Sequence, residues 1–494
     1  MRKIAIAISS VFLLSNSLSA QTESDALRYS QSSVNGTARS VGMAGAFGAL
    51  GGDLSVMSTN PAGIGLYRKS EFSFSPSIHT TKTSSDYLGN TNSEFENNFN
   101  FGNIGAVFAF PVTNQDTLNG WNSFSFGIGY NRINNYYNKT SFFGTNSKNS
   151  YLDNFLEDAN VGTNPSDLYQ YGARMAFDTY LINPISKTDS THYTSEIPNG
   201  GALQSYTSTA SGSTGEIPIS FAGNYSDKLY LGATLGIPFI RYQEDIKWGE
   251  SDEKGTIKTS DTTDFKSYTL NQSFSTMGTG VNLKLGMIYR IQDWLRIGAS
   301  IHTPTYYQLT DEYTYQMNSK FANGSSYSST PPKGSFNYQL ITPMRAAGSA
   351  AFIIGKIGLI SADVEFIDYS TMKLTSDADP FYDQNQIIQD KYSTATNIRL
   401  GTEWRYKEFS FRGGFAHFGS PYKSVAQYGG VDNSKTAYSL GFGIRDRNYF
   451  IDFGYVLTTG KTFFAPYTLK NQDYESSINT IVTHNLVITT GVKF

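Results

Sequence analysis

The sequence contains no cysteine, only five histidines and no long apolar run. Without cysteine the chain has no disulfide framework, no thiolate nucleophile and no cysteine-ligated metal site. After residue 20 it has no stretch of about eighteen consecutive apolar residues, the length that a membrane-spanning helix requires. If the mature protein lies in a membrane, it is therefore predicted to cross it as a closed β-barrel, the other structure that satisfies the backbone in lipid.

The polar residues form no recognisable catalytic or metal-binding set. None of the histidines stands at the spacing of a metal-ligand pair; they are His79, His192, His302, His417 and His484. No nucleophile elbow occurs, although residue order alone leaves a Ser/His barrel phospholipase open. Asp377, Asp379 and Asp383 lack the spacing of a calcium loop and are interpreted as a solvated acidic loop. The chain is predicted to be no enzyme and to use no metal or cofactor.

Charge and composition narrow the fold class further. The formal net charge is −3 and no long basic block occurs, so nucleic acid is not an expected partner. The chain has 34 Tyr, 34 Phe and 46 Gly, yet its mean hydropathy is only −0.34. This combination suits strands that are apolar on one face, with aromatic residues at two membrane interfaces. A large extracellular β-domain is the alternative that composition leaves open.

Residues 1–20 have the features of a secretory signal peptide. Two basic residues precede an apolar run over 4–14, and small residues follow. Cleavage is expected after Ser19 or Ala20. Because no cysteine follows the cleavage site, a bacterial lipoprotein is excluded.

Residues 36–67 are rich in Gly and Ala and do not alternate. Their apolar residues recur at near-helical spacing, which favours a compact element over a flexible linker; they are Val41, Met43, Ala46, Phe47, Leu50, Leu54 and Met57. About thirty residues cannot form a core of their own, so this segment is expected to lodge inside or against the structure that follows. It ends on the sequence Asn60-Pro61-Ala62-Gly63.

From residue 70 onward the two-residue period of β-strands takes over. In the clearest strand, 281–290, the residues Val281, Leu283, Leu285, Met287 and Tyr289 share one face. We predict an all-β chain, an antiparallel transmembrane barrel of about fourteen strands with apolar faces toward lipid and polar faces toward the lumen. The predicted strands are 70–80, 101–112, 121–132, 215–224, 228–246, 272–290, 294–313, 335–353, 357–373, 395–407, 408–418, 435–446, 448–458 and 482–494.

Short turns alternate with long loops along this series, as in outer-membrane barrels. Short turns are predicted at 226–227, 292–293, 355–356, 407–408 and 446–447. Long loops are predicted at 133–214, 247–271, 314–334, 374–394, 419–434 and 459–481. The largest loop, 133–214, is expected to contain one helix over Ser150–Tyr180.

The Asn-Pro-Ala motif after a Gly/Ala-rich segment, followed by the strand entry Glu71–Pro76, resembles the FadL/TodX family of outer-membrane transporters for hydrophobic compounds. Residues 21–35 are polar and are predicted to form a periplasmic lead-in. The resemblance implies a helical hatch after it, so that lead-in and hatch together span 21–69, and a barrel over 70–494. It implies a monomer in the outer membrane of a Gram-negative bacterium. Phe494 closes an alternating strand and resembles the signal for barrel insertion, so the barrel-assembly machinery and outer-membrane lipid are expected partners.

The resemblance also implies roles for particular residues. The hatch residues Asn60, Pro61, Ala62 and Gly63 become the candidate gate. The strand 122–134 corresponds to the family's kinked third strand, which opens the wall sideways into the bilayer. Its candidate residues are Gly127, Gly129 and Asn131, followed by Asn134 and Asn135. The alternative is that these glycines only relieve crowding in the lumen.

Ligand contacts are expected at two levels of the barrel. Phe142, Phe143 and Phe155, with Tyr151 and Tyr169, are candidates for an outer apolar capture patch, against the alternative of simple loop packing. A fatty acid would also need a cation for its carboxylate, and Lys284, Arg296 and Arg399 are the lumen-side candidates. Other cations assigned to the lumen side are Arg290, Arg405, Arg412 and Arg445. For each lumen cation, pairing with a carboxylate is the favoured alternative; the expected partners are Asp363, Glu365, Glu403 and Asp452.

The function predicted from the sequence is passive uptake of long-chain fatty acids or other hydrophobic small molecules through a hatch-gated barrel with lateral exit. One alternative is a barrel of this type that acts as a protein-binding scaffold or a type IX-like secretion shuttle. Another is a general porin, which should lack a plug. A continuous apolar lumen beside the kinked strand would favour transport and is not needed by a scaffold.

Overall fold

A computed structural model describes residues 22–112, 120–257, 264–424, 429–470 and 472–494. The predicted signal peptide, 1–20, lies outside the described residues. Among the residues described, no helix is both long and apolar enough to cross a membrane.

The described chain is mostly β-strand. Its strands are β1 (Glu71–Tyr87), β2 (Asn90–Pro111), β3 (Trp121–Asn135), β4 (Asn138–Asn146), β5 (Ile182–Ser186), β6 (Asp189–Ser195), β7 (Ala202–Tyr225), β8 (Leu229–Ser251), β9 (Phe265–Gln292), β10 (Leu295–His302), β11 (Tyr306–Phe321), β12 (Ser326–Ser329), β13 (Gly334–Ile341), β14 (Arg345–Ile354), β15 (Gly358–Asp368), β16 (Lys373–Thr375), β17 (Thr394–Tyr406), β18 (Phe409–Phe418), β19 (Lys435–Arg445), β20 (Tyr449–Phe464) and β21 (Ser477–Lys493). Its α-helices are α1 (Glu23–Ser30), α2 (Ala38–Gly42), α3 (Tyr151–Ala159), α4 (Ala173–Asp178) and α5 (Tyr382–Lys391), and short 3₁₀ helices span Leu54–Ser58, Pro61–Leu66, Pro165–Asp167 and Tyr369–Thr371.

The strands form a closed antiparallel barrel of fourteen crossings, which confirms the predicted fold class. Four crossings are interrupted, so that β3 continues into β4, β10 into β11, β13 into β14 and β15 into β16. The first strand β1 pairs with the last, β21, from Glu71↔Lys493 to Asp86↔Ile478. This pairing removes both sheet edges, because each end strand now supplies the partner of the other.

The two faces of the wall divide as the alternation predicts. On β9 the outward side chains Val281, Leu283 and Leu285 are exposed, whereas the intervening Asn282 and Lys284 are buried toward the lumen. Short turns at 226–228, 293–294, 355–357, 407–408 and 446–448 share one end of the barrel with the C-terminus, where the amide of Phe494 donates to the carbonyl of Ser70 at 3.0 Å. We call this the short-turn end, and the opposite one the long-loop end.

Toward the long-loop end the strands run well beyond the apolar band. On β8 the exposed outward residues change from Leu235 and Ile237 to Arg241, Gln243 and Lys247. The predicted loops at this end are therefore partly strand, and the largest loop is 147–201 rather than 133–214. The alternation of apolar and polar residues is lost there, because outside the membrane both faces of a strand are polar.

The helix predicted over Ser150–Tyr180 is instead two helices, α3 and α4, with a 3₁₀ turn between them. Gly162 adopts a positive φ of 82°, and Pro165 begins the 3₁₀ turn. Both residues disfavour a continuous helix, because glycine loses backbone entropy and proline has no amide to donate. The short helices, with β5 and β6, pack over the long-loop end; we call residues 147–201 the outer cap.

A buried carboxylate anchors the outer cap to the wall. Glu250 lies about ten residues beyond the end of the apolar band on β8. Its oxygens accept from the amide of Tyr151 at 2.9 Å, from Nε2 of Gln204 at 2.7 Å and from Oγ of Ser150. No basic side chain in the described ranges is ion-paired with it, and burial raises the pKa of Glu250 from 4.5 to about 7.

The buried carboxyl group of Glu250 predicts that the stability of the outer cap depends on pH. The pKa in the folded state lies above the unfolded value, so stability is full below about pH 4.5 and is lost as pH rises toward 7. Hydrogen exchange of α3, corrected for intrinsic rates, should show a lower opening free energy at pH 8 than at pH 5. Glu250→Gln should reduce this difference, while Glu253→Gln, at an exposed position, should retain it. Equal pH dependence in Glu250→Gln and the parent would contradict the assignment.

Candidate functional site

The hatch, residues 36–67, lies directly against the backbone of the wall. A Cβ built on Gly286 would come within 2.0 Å of Oδ1 of Asn60, and one on Gly232 within 2.4 Å of the carbonyl carbon of Pro61. Further wall glycines meet hatch backbone in the same way: Gly102, Gly298, Gly401, Gly414, Gly441 and Gly454. This ring of glycines was not predicted from the sequence, although most of its members stand at lumen-facing positions of alternating strands.

The Asn-Pro-Ala motif fastens the hatch to the wall. The side chain of Asn60 accepts from the amide of Ala62 at 3.2 Å and caps the 3₁₀ helix that Pro61 begins. Its Nδ2 donates to the carbonyl of Gly48 at 2.6 Å and to that of Met287, in the wall, at 3.1 Å. Asn60 therefore joins two parts of the hatch and one wall strand.

Other side chains complete the attachment of the hatch. Nε of Arg39 donates to Glu403 at 2.8 Å, in a buried ion pair. The amide of Gly48 donates to Oδ2 of Asp363 at 3.0 Å, and Nε2 of His302 lies 2.7 Å from the carbonyl of Thr59. Gly63, the fourth predicted gate residue, packs against Gly51 and Val56 inside the hatch. Any opening of the hatch must break bonds on several sides.

The lead-in, 22–35, lies inside the lumen, which differs from the periplasmic position predicted for it. The hydroxyl of Tyr29 donates to Oγ1 of Thr276 at 2.8 Å, and Lys391 in α5 lies 2.8 Å from Glu23. The segment therefore reaches the long-loop end. Its polar residues suited either position, because the lumen wall is itself polar.

The wall has a gap beside β3. The β2–β3 ladder ends at the pair Asn103↔Asn131, and the described strand β4 pairs with β7 alone. The side chain of Asn134 accepts from the amide of Asn135 at 3.0 Å, and that of Asn135 from the amide of Tyr137 at 3.0 Å. These hydrogen bonds between side chains and the neighbouring backbone replace the ladder hydrogen bonds to β2, so the chain turns away from that strand.

In the described part of the chain, every hydrogen bond across this gap, where β4 faces β1 and β2, involves at least one side chain. Nδ2 of Asn92 donates to Oγ of Ser141 at 2.5 Å, and Lys139 lies 2.9 Å from Glu94. An ordinary ladder would join the strands by backbone bonds at every second residue. The gap is therefore a part of the wall that can widen without breaking backbone pairing.

The predicted opening residues lie at or just before this gap. Gly127 and Gly129 sit within the regular β2–β3 ladder, although the β3–β7 ladder skips Gly129. A Cβ on Gly127 would meet Sδ of Met57 at 2.7 Å, and one on Gly129 the carbonyl of Ile104 at 2.6 Å. Asn131 accepts from Asn103 at 2.5 Å and donates to Oγ of the hatch residue Ser58 at 2.7 Å.

One arginine occupies the gap itself. Nε of Arg132 donates to the carbonyl of Phe101, on β2, at 3.3 Å. Its Nη1 is buried and has no hydrogen-bond partner in the described chain. Phe99 and Phe101 beside it are 64% and 42% exposed on the outer face. The gap thus combines a cation toward the lumen with aromatic rings toward the membrane.

A cavity of about 170 Å³ lies between the lead-in, the hatch and the wall, and Arg132 lines it. Most of the residues that line it have hydroxyl, amide or charged side chains; wall examples are Asn131, Thr214, Asn282, Ser300, Thr305 and Thr342. The lumen beside the gap is therefore polar in this structure, and not the continuous apolar path that the transport interpretation anticipated.

The three predicted lumen cations separate into two places. Lys284 and Arg399 line this cavity, where Lys284 is ion-paired with Glu216 and Arg399 lies 2.7 Å from Glu365. Arg296 lies on the other side of the hatch and donates to the carbonyl of Leu50 at 3.2 Å.

Carboxylate pairing, the favoured alternative for the lumen cations, is observed for most of them. Arg399, Arg405, Arg412 and Arg445 pair with expected partners. Glu216, the partner of Lys284, was missed, because it stands beside Gly215 and Ile217 with no alternation to mark its face.

The predicted capture patch is divided in the structure. Phe142 and Phe155 are buried in one apolar cluster with Trp248, and Phe142 stacks on Tyr206 with ring centroids 4.8 Å apart. Phe143 points outward and is 47% exposed. Phe142 and Phe155 therefore pack the outer cap, and the three rings form no common surface.

Neither a protein-family model nor a curated protein matches the sequence. Solved structures match over nearly the whole chain. The Pseudomonas putida toluene transporter TodX is 12% identical with a TM-score of 0.52, over 94% of this chain and 99% of that one. A Pseudomonas aeruginosa FadL homologue is 12% identical with a TM-score of 0.54, over 94% and 99%. The chain has the barrel fold of these FadL/TodX structures.

The close contact between wall and hatch predicts that a larger residue in the wall will let ions leak through the barrel. Gly286→Ala places a methyl group against Asn60 and Pro61, so the hatch should shift and ion conductance in planar bilayers should rise. Gly348→Ala is the matched control, because its Cβ would meet nothing within 4 Å. If both variants conduct like the parent, the hatch does not seal the lumen by this contact.

Proposed function

We propose that the protein is a passive channel for hydrophobic or amphipathic small molecules in the outer membrane of a Gram-negative bacterium, with long-chain fatty acids as one candidate class. The observation that carries the proposal is the gap between β2 and β4. The known structures of this fold include one named as a toluene transporter and one named as a FadL homologue.

A lateral route suits such a ligand for a physical reason. An apolar chain in a water-filled pore stays in contact with water. It therefore does not gain the favourable free energy of transfer into lipid, which is about 25 cal/mol per Å² of apolar surface. A gap in the wall lets the chain enter the bilayer from the lumen instead. Phe99 and Phe101, exposed at the edge of the gap, offer apolar contacts on that route.

The lead-in would act as the first gate. The amide of Ser33 donates to the carbonyl of Ile133 at 3.1 Å, and its hydroxyl to Asn134 at 3.0 Å. These bonds hold the lead-in against the inner side of the gap. A ligand opens the route only if it binds better when these bonds are broken than when they are formed.

The polar cavity favours ligands with a polar head over plain hydrocarbons. A carboxylate or hydroxyl at one end could bind among the polar groups near Arg132, while the apolar part leaves through the gap. Burying an ionised head without a partner would be costly, and a free guanidinium nitrogen reduces that cost.

A protein-binding scaffold or secretion shuttle is the second candidate, favoured by the polarity of the lumen and by the strands that extend beyond the apolar band. The outer cap would then present a protein-binding surface. A general porin has no comparable support, because the hatch and lead-in occupy the lumen. The monomeric state and the barrel-assembly partner remain predictions.

A disulfide across the gap tests the lateral route. The chain has no cysteine, so Asn92→Cys with Ser141→Cys introduces a single pair at two side chains already in contact. Oxidation should lower uptake of radiolabelled oleate by cells, and reductant should restore it, because the gap can no longer widen.

The matched control is Ala106→Cys with Ile128→Cys, two partners in the regular β2–β3 ladder below the gap. Oxidation of this pair should leave uptake unchanged, since those strands are already fixed by backbone bonds. Equal uptake by the oxidised and reduced gap variant, with complete bond formation shown by thiol titration, would refute a lateral route that requires β2 and β4 to separate at the level of this pair.

A further inference from the structure

A second cavity lies on the opposite side of the hatch, toward the short-turn end. Its volume is about 250 Å³. The hatch contributes Leu50, Gly51 and Gly52 to its lining, and the turn between β14 and β15 contributes Gly355 and Lys356. Lys356 is exposed, so the cavity faces solvent at this end of the barrel.

The charged residues that line this cavity are all cations: Arg39, Arg296, Lys356 and Arg405. They come from the hatch, from β10, from the β14–β15 turn and from β17, which are separate parts of the chain. The fold therefore brings together four positive side chains that sequence spacing does not.

The nearby carboxylates do not neutralise this set. Glu403 is shared among Arg39, Arg405 and the wall residue Arg412, with distances of 2.7–2.8 Å. Asp452 is in turn shared between Arg412 and Arg445, at 2.7 Å each. Glu403 and Asp452 each serve at least two guanidinium groups, and Asp53 is one further carboxylate that acts on Arg39. With the six cations Arg39, Arg296, Lys356, Arg405, Arg412 and Arg445 against these three carboxylates, positive charge remains in excess.

Two of the lining cations have no carboxylate partner among the described residues. Arg296 donates through Nη1 to the carbonyl of Leu50 at 3.2 Å, and its Nε is buried without a hydrogen-bond partner. Lys356 forms no ion pair within the described ranges. Unpaired cations around one cavity repel each other, and an anion between them would relieve that repulsion and accept charge-assisted hydrogen bonds.

We propose that this cavity, the basic vestibule, binds a small anion with carboxylate or phosphate groups that enters from the short-turn end. The site is separated by the hatch from the gap and from the lumen cavity. An anion held there would touch the arginine that anchors α2 to Glu403. The proposal does not depend on lateral exit and goes beyond the proposed channel function.

Titration calorimetry of the full mature protein in a zwitterionic detergent at low ionic strength tests the proposal. Citrate and inorganic phosphate are the two probes, and binding of either supports the vestibule and identifies the preferred group. Arg296→Gln and Lys356→Gln should each weaken the binding about tenfold, because each removes a charged donor. Native folding of every variant is checked by heat-modifiable migration in gels.

Lys228→Gln is the matched control. Lys228 is exposed at the same end of the barrel and does not line the cavity, so its substitution removes one positive charge without changing the lining. This variant should bind like the parent. Absence of binding, or equal weakening in all three variants, would overturn the proposal, because the interaction would then be absent or merely a response to net charge. Oleate uptake measured on the same variants separates this outcome from failure of the channel proposal.

Discussion

The backbone hydrogen bond is the constraint on which the rest of this structure depends. In lipid, each unpaired amide or carbonyl costs several kcal/mol, so a sheet must close on itself. The pairing of β1 with β21 achieves this closure. At the gap beside β3 the ladder ends, and side chains supply the missing partners, as when Arg132 donates to the carbonyl of Phe101. The weak place in the wall is thus defined by where backbone pairing stops.

A second constraint is the close approach of hatch and wall. Glycines such as Gly286 and Gly232 let the Asn60–Ala62 backbone lie directly on the strands. The hatch therefore divides the lumen into a polar cavity on one side and a basic vestibule on the other. Because hydrogen bonds and a buried ion pair to Glu403 hold it on several sides, removal of the whole hatch would be costly, and widening the gap disturbs fewer bonds.

Much of the fold could be predicted because lipid imposes a strict two-residue period. Leu283 and its neighbours show this period, and the strand count and short turns follow from it. Beyond the apolar band, around Gln243, the outward face is also polar and the signal disappears. The helix predicted over Ser150–Tyr180 failed for a local reason, since Pro165 and Gly162 interrupt it.

The site was less predictable, because it depends on contacts between distant strands. Gly127 was expected at the kink, but it makes room for Met57 of the hatch. The turn itself comes from Asn134 and Asn135, which bond to their own backbone. The ion pair of Glu216 with Lys284 contributes to the polarity of the lumen cavity; the two residues are 68 positions apart in sequence and meet only when β7, β8 and β9 pair side by side.

Native mass spectrometry of the mature protein, extracted in a mild detergent, tests the channel function most directly. A passive channel for hydrophobic or amphipathic compounds should carry a bound small molecule of defined mass, which added oleate displaces. A barrel that is empty of small molecules and instead retains a stoichiometric protein partner would contradict that function and favour the scaffold.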